Sequence, residues 1–252
     1  MTKFQSKIPK IIHQVWFNFS ASLDGRDIGS HNKDLRKRIK DKNPGYNINL
    51  WREEDVEILF KNYFPEYWST YLFLEPIIRK VDYIRFFILY KYGGIYLDMD
   101  YFVLKGFDEY FDDYPQYKTS DIILSKSCYG PWITNSIMMS RSGCGFWKFC
   151  MEQVKTGTLI PWWGILQNHI ETSCTTGPHF MTVAHEEYLK IFSKAEKITI
   201  EEPHVFVAQD FKDAIYTWHE GHTSWIKSSD FLTVEWLSLM IIIITVFLHY
   251  KV

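Results

Sequence analysis

The chain has 252 residues, of which 46% are hydrophobic and 23% charged, a balance typical of a soluble globular domain. This composition excludes a disordered, collagen-like or long coiled-coil protein, and the length fits one domain with a sizeable core. The formal net charge of -2 also disfavours a general nucleic-acid binder, because that class is usually strongly basic.

The first part of the chain alternates predicted strands and helices. An apolar run over Ile8–Phe17 predicts a buried first strand. A basic helix over Lys33–Lys42 follows, for which a solvated face is favoured over a contact with an anionic membrane. The alternating segment Tyr46–Trp51 predicts a second strand and Arg52–Tyr63 a second helix. This order is typical of an α/β fold.

The centre of the chain holds a helix, a double glycine and a short strand. Apolar residues at spacings of four, three and four define one helix face: Ile77, Val81, Ile84 and Ile88. Gly93 and Gly94 end this helix. The strand Ile95–Leu97 then delivers Asp98 and Asp100 at its carboxyl end, where open α/β sheets bind ligands.

The second half is less regular. Strands are expected at Asp121–Ser125 and Ser136–Met139, and helices at Gly145–Lys155 and Pro178–Lys190. Two further short strands are expected at Val205–Val207 and Ala214–Tyr216. The four cysteines form no CxxC pair, so we interpret them as mostly buried thiols and expect no structural zinc site. Met1–Lys10 contain no apolar stretch of signal-peptide length, so no cleaved signal is expected.

The C-terminus is strongly apolar. Trp236–Leu248 are 13 residues without a charge, which as a helix span about 20 Å against roughly 30 Å of hydrocarbon. A short membrane anchor is the first hypothesis, ahead of an interfacial or partner-bound helix and of a buried core helix. The predicted organisation is a domain over residues 1–230 and a hydrophobic tail over residues 231–252.

Asp98 and Asp100 are the first candidates for chemistry. At i and i+2 of a strand both carboxylates point to the same side, so they could share one divalent cation. Oxygen ligands suit Mg²⁺ or Mn²⁺, which can bridge a diphosphate and stabilise it as a leaving group. The motif alone is weak, and the double glycine and apolar strand before it favour the metal-diphosphate interpretation.

Other polar residues leave alternatives open. Asp82 and Arg85, three apart on the central helix, fit an ion pair or a ligand-binding pair in an apolar setting. His219 fits a satisfied histidine or a third metal ligand. Ser224 and Trp225 could donate hydrogen bonds to a phosphate oxygen.

Several templates are missing from the sequence. The chain has no GxSxG, GxxxxGK[ST], GxGxxG or HExxH pattern. A serine hydrolase, P-loop enzyme, Rossmann dehydrogenase or zincin therefore has no support.

Three segments together carry a family resemblance. IPKIIHQVWF (residues 8–17), NPGYNINLW (43–51) and RKVDYIRFFILYKYGGIYLDMD (79–100) resemble the DXD-containing glycosyltransferases of family 32. TNSIMMSRSG (134–143), CTTGPHF (174–180) and the region from His219 to Trp225 also fit, in the family's order. The chain looks most like the branch that mannosylates inositol-phosphorylceramide.

The resemblance implies a fold and an activity. The expected fold is of the GT-A type, a nucleotide-sugar-binding α/β fold with a mixed central sheet flanked by helices. The expected activity uses a nucleotide-sugar donor, a divalent metal, usually Mn²⁺, and transfer with retention of configuration. A front-face substitution, in which the departing phosphate accepts the acceptor's proton, is expected from the family.

The resemblance also implies residue roles. Asp98 and Asp100 would form the metal and diphosphate motif, and His219 would complete the metal site. Asp82 and Arg85 would hold the donor sugar. Trp16 would stack on the base, and Asn135 would lie near the donor sugar. Thr176, Gly177 and Pro178 would lie near the acceptor. Ser224 and Trp225 would close over the phosphates.

The leading hypothesis is a mannosyltransferase that uses GDP-mannose and an inositol-phospholipid acceptor at a membrane. The acceptor would be a lipid or glycan, nucleic acid would not be a partner, and the tail would contact the membrane. A Golgi-like location and the cytosolic face of an internal membrane both stay open. The alternatives are a UDP-sugar transferase acting on a polysaccharide or protein, an inactive nucleotide- or glycan-binding module, and a metal-dependent phosphohydrolase.

Overall fold

The computed structural model describes residues 6–17, 27–159, 168–192 and 195–221. The strands of this part are, in chain order, β1 Ile11–Val15, β2 Asn47–Trp51, β3 Gly94–Leu97, β4 Tyr101–Val103, β5 Ile122–Lys126, β6 Ile133–Ser140, β7 Ile198–Glu201 and β8 Thr217–His219. The α-helices are α1 Gly29–Lys42, α2 Glu53–Tyr63, α3 Trp68–Phe73, α4 Ile77–Tyr92, α5 Phe107–Asp113, α6 Gly145–Thr156, α7 Asn168–Thr175, α8 Pro178–Ile191 and α9 Pro203–Phe206. Short 3₁₀ helices occupy Pro65–Tyr67, Pro115–Thr119 and Phe211–Asp213.

Six of these strands form a mixed sheet in the order β2-β1-β3-β6-β5-β7. β1 is parallel to both β2 and β3. β6 is antiparallel to β3 and β5, and β7 runs parallel to β5. A separate antiparallel pair joins β4 to β8. The mixed α/β sheet agrees with the fold class expected from the sequence.

Each face of the main sheet covers its own apolar core. Tyr96 and Met138 face the helices α2, α4, α6 and α8. Their strand neighbours Ile95 and Ile137 face the other way, toward α1 and α5. Alternation along a strand places successive side chains on opposite faces, so these strands are buried on both sides and helices form a layer on each. The four cysteines are free and three of them are buried, as expected.

The double glycine is required by close packing. Gly93 and Gly94 have φ of 65° and 94°, a region that favours glycine. A Cβ on Gly94 would lie 2.5 Å from the carbonyl oxygen of Ile11, and one on Gly93 would lie 2.6 Å from the backbone nitrogen of Ser142. The glycines therefore let α4 turn sharply into β3, which precedes the two candidate aspartates.

Two expectations from the sequence are wrong in detail. Val205–Val207 is not a strand, because Pro203 begins the short helix α9 and proline is preorganised for the first helical position. The strand expected at Ala214–Tyr216 starts later, at Thr217. The apolar tail lies outside the described residues, as does the boundary that divides it from the domain. Within the described segments, no helix is both long and apolar enough to cross a bilayer.

A buried histidine connects β1 to the double glycine. His13 Nε2 lies 2.9 Å from the carbonyl oxygen of Gly93, and Trp51 Nε1 donates to His13 Nδ1 at 3.1 Å. Since Nδ1 accepts, the ring is neutral and Nε2–H is the donor. Burial lowers the pKa of His13 from 6.5 to about 4, against a smaller opposing effect of the Gly93 hydrogen bond.

This shift predicts acid sensitivity. The unfolded chain binds a proton at His13 at a higher pH than the folded chain does, so the stability due to neutral His13 is present above pH 6.5 and is lost as the pH falls toward 4. Wild type should lose about 2 kcal/mol more unfolding free energy than His13→Gln between pH 7 and pH 5. Urea unfolding at both pH values measures this difference. His204→Gln, at an exposed histidine, should behave like wild type, and equal losses in all three proteins would contradict the prediction.

Candidate active site

A cleft of about 810 Å³ opens at the carboxyl ends of β1 and β3, within the range of small-molecule sites. Its wall is built from the end of β1, the start of α1, α4, the turn after β3, β6, the α7–α8 junction and β8. The predicted site residues that line it are Trp16, Asp82, Arg85, Asp98, Asp100, Asn135, Gly177, Pro178 and His219. Thr176 is fully buried beside it. Ser224 and Trp225 lie outside the described residues.

The two motif aspartates lie on a turn, not on a strand. β3 ends at Leu97, and Asp98 to Asp100 connect it to β4. The Asp98 N–H donates to the Ser136 carbonyl at 2.9 Å, and the Asp100 carbonyl accepts from the Glu220 N–H at 3.0 Å. The expectation of two carboxylates on one side of a strand is therefore wrong, because the chain bends at Asp98. The carboxylates nevertheless lie close together, since β6 and the end of β8 hold both ends of the turn.

Asp98, Asp100 and His219 form a group that could hold a metal ion. One possible ligand atom from each lies within 4.8 Å of the other two. The cross-strand pairing of Tyr101 with His219 brings the imidazole to the turn, where Nε2 lies 3.1 Å from Asp100 Oδ1. Two carboxylates and one imidazole fit Mn²⁺, and the oxygen ligands also fit Mg²⁺.

The histidine ring is fixed by packing. It stacks on Tyr101 with ring centroids 4.6 Å apart and planes at 17°. The Tyr101 hydroxyl is hydrogen-bonded to Ser136 Oγ at 2.7 Å. Burial lowers the pKa of His219, but the hydrogen bond and charge of Asp100 together outweigh it and leave the pKa raised. The carboxylate-rich setting therefore favours positive charge at this position.

Arg85 connects the turn at Asp98–Asp100, the candidate metal-binding turn, to Asp82. Its Nη2 lies 3.1 Å from Asp82 Oδ1 and 3.0 Å from Asp98 Oδ1. Its Nη1 donates to the carbonyl of Asn135 at 2.6 Å. The guanidinium carbon lies 4.6 Å from the centre of the Tyr96 ring, and the Tyr96 hydroxyl donates to Asp98 Oδ1 at 2.7 Å. The pair left open by the sequence is thus an ion pair that extends to a third group.

The electrostatics of this cluster are unbalanced. Arg85 and Asp82 are buried, and burial raises the pKa of Asp82 to about 6, against the opposing charge of Arg85. Burial also raises the pKa of Asp98. One guanidinium therefore serves two desolvated carboxylates, with Asp100 beside them. Such a site favours additional positive charge, which a divalent cation would supply.

Asn135 and Thr176 hold Asp82 in place. Asn135 Nδ2 donates to Asp82 Oδ1 at 2.9 Å and to the Thr176 carbonyl at 3.3 Å. The Thr176 hydroxyl donates to Asp82 Oδ2 at 3.1 Å. Both carboxylate oxygens are therefore engaged by protein groups. Gly177 and Pro178, the other residues of that motif, line the cleft.

Sequence reasoning missed four residues around the turn. Gln14, fully buried on β1, donates from Nε2 to the Asp98 carbonyl at 3.2 Å and accepts from Arg36 Nη1 at 2.5 Å. Arg36, Tyr96 and Ser136 are the others. The i, i+2 spacing of Tyr96 and Asp98 could have indicated the contact between these two residues. The contacts of Gln14 and Ser136 join distant strands, and that of Arg36 comes from α1.

The hydroxyl of Thr176 gives a testable contribution to stability. Thr176→Val removes a hydrogen bond to a buried carboxylate and should lower the unfolding free energy by about 2 kcal/mol. Thr176→Ser keeps the hydroxyl and should recover most of this loss. Thr175→Val is the matched control, because the buried Thr175 hydroxyl bonds only to the helical carbonyl of Glu171 among the contacts described, and it should change stability by about 0.5 kcal/mol or less. Equal losses for both valine variants in urea unfolding would contradict the role assigned to Thr176.

Comparison with known proteins places this geometry in context. Residues 29–119 match the family model described as a glycosyltransferase sugar-binding region containing a DXD motif. The chain is 27% identical over 233 residues to Mannosyl phosphorylinositol ceramide synthase CSH1 of Saccharomyces cerevisiae, covering 88% of this chain and 55% of that protein. It is 37% identical over 93 residues to Inositol phosphoceramide mannosyltransferase 3 of Schizosaccharomyces pombe, covering 37% of this chain and 24% of that protein. The chain thus spans about half the length, or less, of these curated relatives.

A solved structure agrees on the fold. The PaToxG glycosyltransferase superposes with a TM-score of 0.52 at 18% identity, covering 75% of this chain and 73% of that one. The matched family region contains α4, Asp82, Arg85 and both motif aspartates. Over residues 29–119, which carry these side chains, the chain is therefore similar to glycosyltransferases with a DXD-containing sugar-binding region.

Proposed function

We propose that the protein is a metal-dependent, retaining glycosyltransferase that moves mannose from GDP-mannose to an inositol-phospholipid at a membrane surface. The observation that carries the proposal is the sharing of Arg85 between Asp82 and Asp98. Through Arg85, the buried Asp82 carboxylate, which is suited to bind sugar hydroxyls, is connected to Asp98. Asp98 belongs to the group suited to hold a metal ion beside a diphosphate. Both open into one cleft large enough for a small-molecule donor.

Asp98, Asp100 and His219 would hold the cation. When bound, a divalent ion supplies positive charge that offsets the negative charge developing on a departing nucleoside diphosphate. Arg85 favours the ionised form of Asp98, against the effect of burial, and orients it through the 3.0 Å contact. Tyr96 and Gln14 fix the same residue at its side chain and its carbonyl.

Asp82 would bind the donor sugar and not attack it. Both of its oxygens already accept hydrogen bonds, from Asn135 and Thr176, and Arg85 lies against one of them. A carboxylate so engaged is a poor nucleophile but can accept further hydrogen bonds from sugar hydroxyls. This favours front-face substitution, in which the anomeric C–O bond to phosphate breaks, the acceptor oxygen bonds to the same face, and its proton passes to the departing phosphate.

The roles proposed for the remaining residues are those that the family resemblance implies. Trp16, at the end of β1 on the cleft wall, would stack on the nucleotide base. Gly177 and Pro178 would lie near the acceptor. Ser224 and Trp225 would donate hydrogen bonds to the phosphates.

The lipid acceptor is supported by the relatives and by the cleft. The two curated relatives are named for mannosyl phosphorylinositol ceramide and inositol phosphoceramide. The cleft includes apolar side chains that suit the part of a lipid next to its head group, among them Ile78, Val81, Pro178 and Val207. We place the enzyme at an internal, Golgi-like membrane or its cytosolic face.

Nucleotide release tests the proposal. A panel of GDP- and UDP-sugars is incubated with the protein and phosphatidylinositol-containing vesicles, with Mn²⁺ or with chelator. We expect release from GDP-mannose that requires the metal and falls at least about a hundredfold in Asp100→Asn. Asp210→Asn, at an exposed aspartate, should retain wild-type release.

Three results would overturn parts of the proposal. Release that persists with chelator contradicts the metal requirement. Release from a UDP-sugar contradicts the donor. Binding of nucleotide by folded protein without release from any donor would leave a binding module in place of an enzyme.

A further inference from the structure

The junction between α3 and α4 exposes large apolar side chains. Phe73, the last residue of α3, is 86% exposed, and Leu72 beside it is 50% exposed. Glu75 and Pro76 follow, and α4 begins at Ile77. Adjacent large apolar side chains that are this exposed mark a candidate contact surface.

An apolar face of α4 begins a few residues after this exposed helix end and leads into the cleft. Ile78 and Val81 line the cleft, and each lies four residues before a functional group, Asp82 and Arg85 respectively. Residues four apart share one helix face, so the face that carries the sugar-binding pair becomes apolar one turn nearer its N-terminus. One face of α4 therefore leads from the reacting groups toward the exposed end of α3.

The charged residues of the junction are neutralised within the protein. Lys80 Nζ lies 2.8 Å from Glu75 Oε1. Arg79 is buried and turned inward, where it pairs with Glu171 at 2.7 Å and donates to Thr172 at 3.2 Å. The junction thus presents paired charges beside its apolar side chains. This pattern suits the hydrocarbon boundary of a bilayer better than a charged protein partner.

We propose that residues 72–78, the α3–α4 junction, contact the membrane, and that the lipid part of the acceptor leaves the cleft over Ile78. Phe73 and Leu72 insert at the hydrocarbon boundary. Ile78 lies five positions after Phe73 in the chain, so their Cα atoms are at most about 18 Å apart. This is close to half of the roughly 30 Å hydrocarbon core, so an acceptor whose chains stay in the bilayer can bring its head group to the cleft. The acceptor part of this inference rests on the proposed function, whereas the membrane contact does not.

A fluorescent probe at one position tests the contact. Phe73→Cys, in a full-length chain with Cys128→Ser, is labelled with the environment-sensitive dye NBD; the other three cysteines are buried. The matched control is Ile58→Cys on α2, which is 57% exposed. On addition of vesicles of phosphatidylcholine and phosphatidylinositol, the dye at position 73 should brighten and shift to the blue, and lipids with doxyl-labelled chains should quench it. The control dye should do neither.

Local probes keep the result independent of any other membrane-binding segment. The contact is overturned if the protein does not bind the vesicles, if the dye at 73 does not respond, or if the dye at 58 responds equally. A response that needs no vesicles and grows with protein concentration also overturns it, in favour of contact between copies of the chain.

Kinetics test the acceptor path separately. Leu72→Ser with Phe73→Ser should raise KM for the vesicle-borne acceptor about tenfold or more, while KM for GDP-mannose and metal-dependent donor hydrolysis stay unchanged. An unchanged acceptor KM overturns the delivery of the acceptor to the cleft through this contact. The two proposals fail in different ways: a silent probe with active donor release removes only the membrane contact, and a responsive probe with no release from any donor removes only the proposed enzyme.

Discussion

The shared contact of Arg85 with Asp82 and Asp98 is the constraint on which the site depends. Taking two carboxylates out of water is unfavourable, and one guanidinium compensates only part of that cost. Asp100 adds a third carboxylate at the rim. Burial accordingly raises the pKa of Asp82 and of Asp98, and the raised pKa of His219 reflects the negative charge around Asp100. The site therefore favours positive charge before any ligand enters, and a divalent cation bound there, as we propose, would supply that charge beside a donor diphosphate.

The fold holds this cluster by fixing both ends of one short strand. β3 begins at a double glycine, where a side chain would clash with the backbone of Ile11 or Ser142. His13 bonds to the carbonyl of Gly93. At the other end, Gln14 bonds to the carbonyl of Asp98. Adjacent residues of β1 thus fix the start and the end of β3 from opposite faces of the sheet. The stability of the sheet and the geometry of the metal-binding turn are consequently linked through one strand.

The sequence predicted the parts that follow from local pattern. The apolar period of α4, the double glycine and the position of the two aspartates after β3 are all encoded within about twenty-five consecutive residues, and the mixed sheet and neighbouring solved fold agree with the family resemblance. Only the same-side argument for Asp98 and Asp100 failed, because strand alternation does not apply to a turn that tertiary hydrogen bonds hold in place. The strand expected at Val205–Val207 failed because a short apolar run has no period of its own. The contact of Thr176 with Asp82 joins residues 94 positions apart, and no local pattern encodes such a distance.

One helix orders the proposed chemistry in space. Along α4, Asp82 lies about one turn after Ile78 and Arg85 about one turn after Val81. Arg85 contacts Asp98 in the metal-binding turn. A rise of 1.5 Å per residue sets about 6 Å between Ile78 and Asp82. The separation between an apolar acceptor path and the donor sugar is then a property of helix geometry and not of loop conformation. The helix that carries the buried Arg85 and its contact with Asp98 also carries the apolar face that leads toward the surface that we assign to the membrane.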